Sequence, residues 1–373
     1  MENLASDKGK TLDSTHSLQL PNDGQIFIFT GPNGSGKTRA LALMTDNYLE
    51  NIRCSSDEIS RLICLSGTVL DKFPRHDHAS YAYFGRRTNS NMFSEVAPYR
   101  RLVEYIMSDC ADWEKRATLA KSLLESISLG HVIHFKFRRG RNTKDIVSQA
   151  ISPNLDITID LSQPIHKQRS YKTRLKQLKE NKVHVSGVSF TKGERKYDIA
   201  DLSSGERSYA LSILAVAFSV IDHSVVIFDE PENSLHPKWQ QTVIRDMWIA
   251  MSKVSSGSKL IIATHSPLIV AGAKNRLTYI FDLGSNSIWS QSELFGNTSD
   301  TILKEQFGLI SPRSISFLSL VRKCLKAMIE MQTNPQPFRD AADELLATNV
   351  QLDRDDPLFL TIESIKEARE ALV

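Results

Sequence analysis

The sequence predicts an α/β fold in which a parallel sheet carries a glycine-rich loop at the end of one strand. The run Gln25 to Thr30 is short and apolar, as is typical of a buried strand, and the glycine-rich stretch 31–38 follows it directly. Behind that stretch, Leu41, Met44 and Tyr48 recur at helical spacing. A strand, a glycine loop and a helix in this order are the context in which such a loop binds phosphate groups.

The composition of the loop explains why it would bind phosphate. In order, its residues are Gly31, Pro32, Asn33, Gly34, Ser35, Gly36, Lys37 and Thr38. Glycines let backbone N–H groups approach phosphate oxygens without an intervening Cβ, and the start of the helix adds partial positive charge. We expect ATP on residues 31–38 and Arg39, with Lys37 reaching the β and γ phosphates and Thr38 binding Mg²⁺. The alternative is a glycine turn that only begins a helix.

A second apolar run, Val225 to Phe228, ends at the adjacent acids Asp229 and Glu230. The end of a parallel strand presents groups to a nucleotide bound on a nearby loop. We therefore predict that Asp229 holds Mg²⁺ through water and that Glu230 orients the water that attacks the γ phosphate. Taken alone, two such acids would usually form a solvated turn.

Two further motifs flank these acids. Upstream, the stretch 202–207 (L-S-S-G-E-R) precedes an apolar helical segment, and downstream the run Leu260 to Thr264 leads into His265. Taken alone, the serines could be an ordinary helix N-cap and His265 a histidine satisfied by neighbouring backbone. The glycine loop, the stretch 202–207, the Asp229–Glu230 pair and His265 are informative together, because they occur in one chain in this order.

With these motifs in this order, the chain resembles the ABC-type ATPases. The resemblance implies a P-loop NTPase fold with an ABC-ATPase-like core that hydrolyses ATP to ADP and phosphate. It also implies that Ser204 and Gly205 bind the γ phosphate of the opposite subunit and that His265 contacts the γ phosphate of its own. The expected assembly is a homodimer or larger homo-oligomer, in which the start of the signature helix points away from its own phosphate loop.

The stretch 229–237 (D-E-P-E-N-S-L-H-P) narrows the resemblance. It is similar to the signature of soluble ABC ATPases related to the overcoming-lysogenization-defect proteins and to Septu and retron-linked anti-phage ATPases. That similarity implies a sensor or regulatory ATPase of a defence or DNA-processing complex, with a separate effector such as a nuclease. The alternatives are a nucleotide-locked scaffold with incidental hydrolysis and the energy subunit of a membrane transporter. His236 and the lack of a Q-loop glutamine after Tyr81 to Phe84 weigh against the transporter.

Length, composition and cysteine spacing limit the size of the core and the classes of protein that the chain could belong to. A chain of 373 residues with 41% hydrophobic content can bury one large core and a subsidiary lobe. No apolar run approaches the length of a membrane helix and the N-terminus is polar, so we expect a cytoplasmic protein that does not enter a membrane. The cysteines lack C-x-x-C spacing, which argues against a zinc site; they are Cys54, Cys64, Cys110 and Cys324.

Four regions are predicted: a first part of the ATPase core (1–97), an inserted helical and β lobe (98–185), a second part of the core (186–290) and a mostly helical C-terminal tail (291–373). Two basic segments, 136–144 and 167–182, lie in the insert, with Phe135, Phe137 and Tyr171 among or beside them. They could bind nucleic acid through phosphates and base stacking, or form a solvated face or a docking surface for an acidic partner.

Overall fold

The computed structural model describes most of the chain in two compact units, Met1–Ile302 and Leu303–Val373. The described residues are 19–54, 59–75, 78–89, 92–108, 110, 112–140, 155–167, 171–273, 277–283, 288–291, 315–331, 333–348, 352, 356 and 358–372.

The elements of the first unit follow one another in mixed α/β order. They are β1 (Ile26–Thr30), α1 (Lys37–Arg53), β2 (Arg61–Ser66), β3 (Tyr81–Phe84), β4 (Arg87–Asn89), β5 (Met92–Phe93), α2 (Ala97–Ile106), α3 (Trp113–Glu125), β6 (Val132–Arg139), β7 (Ile157–Asp160), α4 (Tyr171–Lys179), β8 (Val183–Lys192), β9 (Arg195–Asp198), α5 (Ser204–Ser219), β10 (Ser224–Asp229), α6 (Pro237–Val254), β11 (Lys259–Ala263), α7 (Pro267–Gly272), β12 (Thr278–Asp282) and β13 (Ser290–Gln291).

A seven-stranded sheet forms the centre of this unit, with the order β13-β12-β1-β11-β10-β2-β3. All neighbouring strands run parallel except the short β13, which pairs antiparallel with β12. Its strands are apolar on both faces because helices cover them, as parallel sheets require. The predicted α/β class is therefore confirmed, and the carboxyl ends of β1, β11 and β10 meet at one edge.

A second, antiparallel sheet begins in the region predicted as an insert and extends beyond it. Its four strands have the order β7-β6-β8-β9 and end at Asp198. The predicted boundary at residue 185 falls inside β8, because β8 continues to pair with β6 as far as Phe190. The first part of the predicted helical and β lobe forms two helices, α2 and α3, which both pack against α5.

The signature helix α5 is the most enclosed helix of the described residues in this unit, because 13 of its 16 residues are buried. Arg116 of α3 caps the C-terminus of α5. Its Nη1 atom donates hydrogen bonds to the carbonyl oxygens of Ala217, at 2.8 Å, and Val220, at 2.7 Å. The last carbonyls of a helix have no partner within the helix, so this buried guanidinium satisfies acceptors that would otherwise be orphaned.

The described part of the second unit contains three helices, α8 (Ile315–Ile329), α9 (Gln336–Leu346) and α10 (Phe359–Glu370). They bury a small apolar core that includes Val321, Phe338 and Ile365. This arrangement agrees with the helical tail expected from the sequence. Within the described residues, no helix has the length and apolar character needed to cross a membrane.

We predict that Arg116→Met lowers the free energy of unfolding by about 2 to 4 kcal/mol, because two buried carbonyl oxygens lose their donor. Chemical denaturation followed by circular dichroism measures the change. Lys115→Met is the matched control, since Lys115 is the exposed neighbour on the same helix and should change stability by less than about 0.5 kcal/mol. Equal stability of the two variants would contradict the capping role.

Candidate functional site

The glycine-rich loop has the backbone that its sequence requires. Gly31, Gly34 and Gly36 all have positive φ, at 138°, 83° and 96° respectively. Residues with a Cβ rarely adopt these conformations, so the glycines are what allow the loop to curl between β1 and α1. The helix begins immediately after Gly36, and its N-terminal N–H groups open toward the loop.

Lys37 is buried beneath this loop. Its Nζ atom donates hydrogen bonds to the carbonyl oxygens of Gly31, at 2.8 Å, and Pro32, at 3.0 Å. Burial lowers the pKa of Lys37, and the nearby carboxylates of Glu230, Glu232 and Asp229 oppose that effect. The ammonium group therefore lies within the electric field of an acidic cluster. Arg39, also predicted to contact nucleotide, is exposed in the first turn of α1.

The strand order explains how distant residues meet. Because β11 lies between β1 and β10, the phosphate loop, His265 and the Asp229–Glu230 pair all emerge at the same edge of the sheet. The Thr38 Oγ1 atom donates a hydrogen bond to Asp229 Oδ1 at 3.3 Å, across 191 residues of sequence. The structure thus brings together the two side chains predicted to bind the metal.

The residues around Asp229 fit a magnesium ion. Burial raises the pKa of Asp229 to about 7, and the Thr38 hydrogen bond only partly offsets this effect. The Oδ2 atom is buried and has no hydrogen-bond partner among the described residues. A buried carboxylate oxygen beside a threonine hydroxyl is a hard oxygen donor set of the kind that Mg²⁺ prefers. When bound, the ion would be held by Asp229 and Thr38 and would neutralise phosphate charge.

Glu230 adopts a constrained backbone conformation beside this site. Its φ is 49°, which is unusual for a residue with a side chain, and its N–H donates to the carbonyl oxygen of Ala263 at 2.8 Å. The amide Nδ2 of Asn233 donates to Glu230 Oε2 at 2.6 Å. The carboxylate is thereby oriented from the loop that follows it, while its side chain remains 24% exposed.

His265 is positioned by Glu232, a residue to which sequence reasoning assigned no role. Glu232 Oε1 accepts hydrogen bonds from the backbone N–H of His265, at 2.7 Å, and contacts its Nδ1 atom at 3.1 Å. The same ring nitrogen lies 3.9 Å from Glu230 Oε1. Glu232 is buried, and that burial raises its pKa. The sequence feature that could have pointed to Glu232 is its position as a further acidic residue two places after Glu230.

The signature motif begins helix α5. Ser203 is its N-cap and forms a capping box with Glu206, whose carboxylate accepts from the Ser203 backbone N–H at 2.9 Å. Ser204 is exposed, whereas Gly205 is buried where a Cβ would lie 2.9 Å from the carbonyl oxygen of Ser234. Among the described residues, no hydrogen bond or ion pair joins Ser204 or Gly205 to the phosphate loop of the same chain.

An arginine follows β3 where the sequence lacks a Q-loop glutamine. The Arg86 Nη2 atom donates to the carbonyl oxygen of Gly67 at 3.0 Å, and the N–H of Gly67 bonds to the Asp229 carbonyl oxygen at 2.9 Å. Arg86 also pairs with Glu95 at 3.5 Å, and Glu95 lies 3.8 Å from Arg207 of the signature helix. Arg86 therefore bridges the loop beside Asp229 and α5.

The stacking role predicted beside the two basic segments is wrong. Phe135 and Phe137 are 0% and 5% exposed, and Tyr171 is 4% exposed, so their rings belong to the core beneath the antiparallel sheet. The guanidinium of Arg174 covers the Phe137 ring at 5.6 Å. Residues 141–144 and 168–170 of these segments lie outside the described residues. Phosphate binding by the remaining lysines and arginines stays a prediction.

Fold and site together define a P-loop nucleotide-binding protein, because a glycine loop, a lysine, a threonine and an aspartate converge at the carboxyl edge of a parallel sheet. A family described as "AAA domain, putative AbiEii toxin, Type IV TA system" matches residues 81–271, just over half of the chain. The chain belongs to this AAA family and is an ATPase of the P-loop class. The matched range includes the signature, Asp229–Glu230 and His265.

Two individual proteins are similar to the chain. The retron Vc95 probable ATPase of Vibrio cholerae serotype O1 biovar El Tor is 24% identical over an alignment of 243 residues, and the alignment covers 59% of this chain and 42% of that protein. The chain thus spans less than half the length of this relative. The SMC head crystallised with the C-winged helix domain of ScpA aligns over 74% of this chain and 91% of that one, at 12% identity and a TM-score of 0.37. A TM-score this low supports no conclusion.

We predict that Asp229→Asn stabilises the protein in magnesium-free and nucleotide-free buffer. The pKa of about 7 in the folded state lies above the roughly 3.9 of an exposed aspartate, so ionisation increasingly opposes folding as pH rises from about 4 to 7. At pH 8 the variant should exceed wild type in free energy of unfolding by on the order of a few kcal/mol, and the gain should shrink toward pH 4. Denaturant titrations at several pH values measure this, with the exposed Asp46→Asn as control.

We predict that Glu232→Gln acts through His265. The substitution keeps the shape of the side chain but removes the charge facing Nδ1, so kcat for ATP should fall roughly tenfold or more while KM stays within about twofold. A double-mutant cycle with His265→Ala tests the route, because Glu232→Gln should have little further effect once the imidazole is absent. Additive losses would show that Glu232 does not work through the histidine.

Proposed function

We propose that this chain hydrolyses ATP as the regulatory ATPase of a larger assembly. The observation that carries the proposal is the convergence of Lys37, Thr38, Asp229, Glu230 and His265 at the carboxyl edge of three adjacent strands. This arrangement supplies the parts that phosphoryl transfer requires, which are mainly positioning and neutralisation of charge.

Each side chain has a separate task in this proposal. The loop N–H groups and Lys37 hold the phosphates, and Thr38 and Asp229 hold the magnesium ion that neutralises developing charge. Glu230, oriented by Asn233, accepts a hydrogen bond from the attacking water and aligns it with the γ phosphate. His265, fixed by Glu232, contacts the γ phosphate from the neighbouring strand end. The buried position of Lys37 limits competing water.

A second copy of the chain completes the site in this proposal. Ser204 is exposed at the first turn of a 16-residue helix, where free N–H groups and the helix dipole favour a phosphate. Within the part of the chain that the structure describes, Ser204 has no hydrogen bond to its own phosphate loop, which supports a role toward a partner's nucleotide. The proposed assembly is a homodimer with ATP between the subunits, which separates after hydrolysis.

The proposed biological role is anti-phage defence together with a separate effector such as a nuclease. It is supported by the similarity to a retron ATPase and by the stretch 229–237, which is similar to the D-E-P-E-x-x-L-H-P signature of overcoming-lysogenization-defect and Septu-type ATPases. In the scaffold alternative, ATP binding alone would hold the assembly together and hydrolysis would be incidental.

The deciding experiment is Glu230→Gln. We expect nucleotide binding to persist, kcat to fall at least roughly a hundredfold because the water loses its orienting carboxylate, and ATP-bound dimers to accumulate. Phosphate release measures turnover, and light scattering with and without Mg²⁺-ATP measures assembly. Glu194→Gln, in the exposed turn between β8 and β9, is the matched control and should behave as wild type.

Normal turnover in Glu230→Gln would place the water-orienting group elsewhere. Full biological activity without turnover would establish the scaffold instead. Lys37→Ala is the reference for loss of binding, and tight ATP binding by that variant would refute the phosphate-loop assignment.

A further inference from the structure

A cavity of about 380 Å³ opens beside β3, the outer strand at one end of the central sheet. Four arginines line it: Arg75, Arg87, Arg100 and Arg101. They come from the segment before β3, from β4 and from α2. None of them belongs to the nucleotide site, and the proposed ATPase activity assigns them no role.

The charges of these arginines are only partly balanced. Arg87 lies 3.6 Å from the buried carboxylate of Asp71, and Arg101 pairs with Glu104 at 3.1 Å. Arg75 and Arg100 are both exposed, and neither has a hydrogen bond or ion pair with any described residue. The guanidinium groups of Arg75 and Arg100 are therefore available to bind an anion in this cavity. The planar arrangement of their N–H donors suits two oxygens of one phosphate group.

An exposed aromatic side chain lies on the strand that pairs with Arg87. In the short β4–β5 hairpin, Phe93 is the pairing partner of Arg87, and paired residues of an antiparallel ribbon project to the same face. Phe93 is 50% exposed and its neighbour Met92 is 61% exposed. The tyrosines that line the cavity offer no such face, since Tyr81 is buried and the Tyr83 hydroxyl donates to Asp71 at 2.8 Å.

We propose that this arginine cavity, together with Phe93, is a binding site for single-stranded nucleic acid. Arg75 and Arg100 contact consecutive phosphates, and Phe93 stacks on an adjacent unpaired base. Proteins that bind single strands combine a positively charged groove with aromatic side chains. The groove binds the backbone phosphates, and the aromatic rings stack on the unpaired bases. Inorganic phosphate or an acidic peptide would use the guanidinium groups but not the ring.

The position of the cavity connects it to the nucleotide site. Arg87 is adjacent to Arg86, whose guanidinium contacts the Gly67 carbonyl oxygen beside Asp229. A strand bound in the cavity therefore lies beside Arg87, which is one residue from the Arg86 bridge between the loop next to Asp229 and helix α5. Binding itself needs no ATP, so a binding assay without nucleotide tests this site independently of the proposed hydrolysis.

The experiment measures the affinity of the whole chain for a fluorescein-labelled 20-mer of deoxythymidine across a series of salt concentrations. Wild type should bind with a salt-dependent affinity. Arg75→Gln/Arg100→Gln should weaken binding roughly tenfold at low salt and reduce the slope of log K against log salt by about 1.4, because two phosphate contacts are lost. Phe93→Ala should weaken binding roughly five- to a hundredfold without changing the slope.

The matched control is Arg195→Gln/Lys196→Gln, which removes the same charge from two exposed residues of β9. This variant should bind as wild type does. All variants should keep wild-type circular dichroism and basal ATP hydrolysis, since they lie outside the nucleotide site.

Four results would overturn the proposal: no salt-dependent binding by wild type; an equal loss in the β9 control; binding of polyglutamate but not of the 20-mer through Arg75 and Arg100; or equal affinity for duplex and single strand with no effect of Phe93→Ala.

Discussion

The parallel register of β1, β11 and β10 is the constraint on which the site depends. Ile28 and Phe228 both align with Ile262, so the three strands end at the same level and release the phosphate loop, His265 and Asp229 side by side. A slip of one residue in β10 would turn Asp229 to the opposite face of the sheet. Because β10 is buried on both faces, alternation of polar and apolar residues does not fix this register, and the packing of individual side chains against the covering helices must do so.

The site gathers more negative charge than the protein alone can neutralise. Asp229, Glu230 and Glu232 lie around the single ammonium of Lys37, and burial raises the pKa of both Asp229 and Glu232. Such a cluster opposes folding unless cations join it. In the proposed ATPase, a bound magnesium ion would supply positive charge at this cluster, and the fold would hold its ligands in place at a cost in stability.

The parts of this protein that follow local chemical rules could be predicted from the sequence. The glycine loop, the acids after β10 and the parallel sheet rest on motif and periodicity, and the structure places them together. Other features depend on distant pairing that no local pattern encodes. Glu232 meets His265 across 33 residues. Phe135 and Phe137, which the sequence places beside basic residues, are buried, and Arg174 of α4 covers the Phe137 ring.

The buried glycine at the tip of α5 has a consequence for how a signal leaves the site. The carbonyl oxygen of Ser234 occupies the place where a side chain of Gly205 would stand, and Ser234 follows directly on Asn233, the residue bonded to Glu230. Only the short turn from Glu230 to Ser234 lies between the carboxylate and the start of α5. A shift of that turn by a few tenths of an ångström would therefore change the backbone packing against Gly205 at the exposed start of the helix.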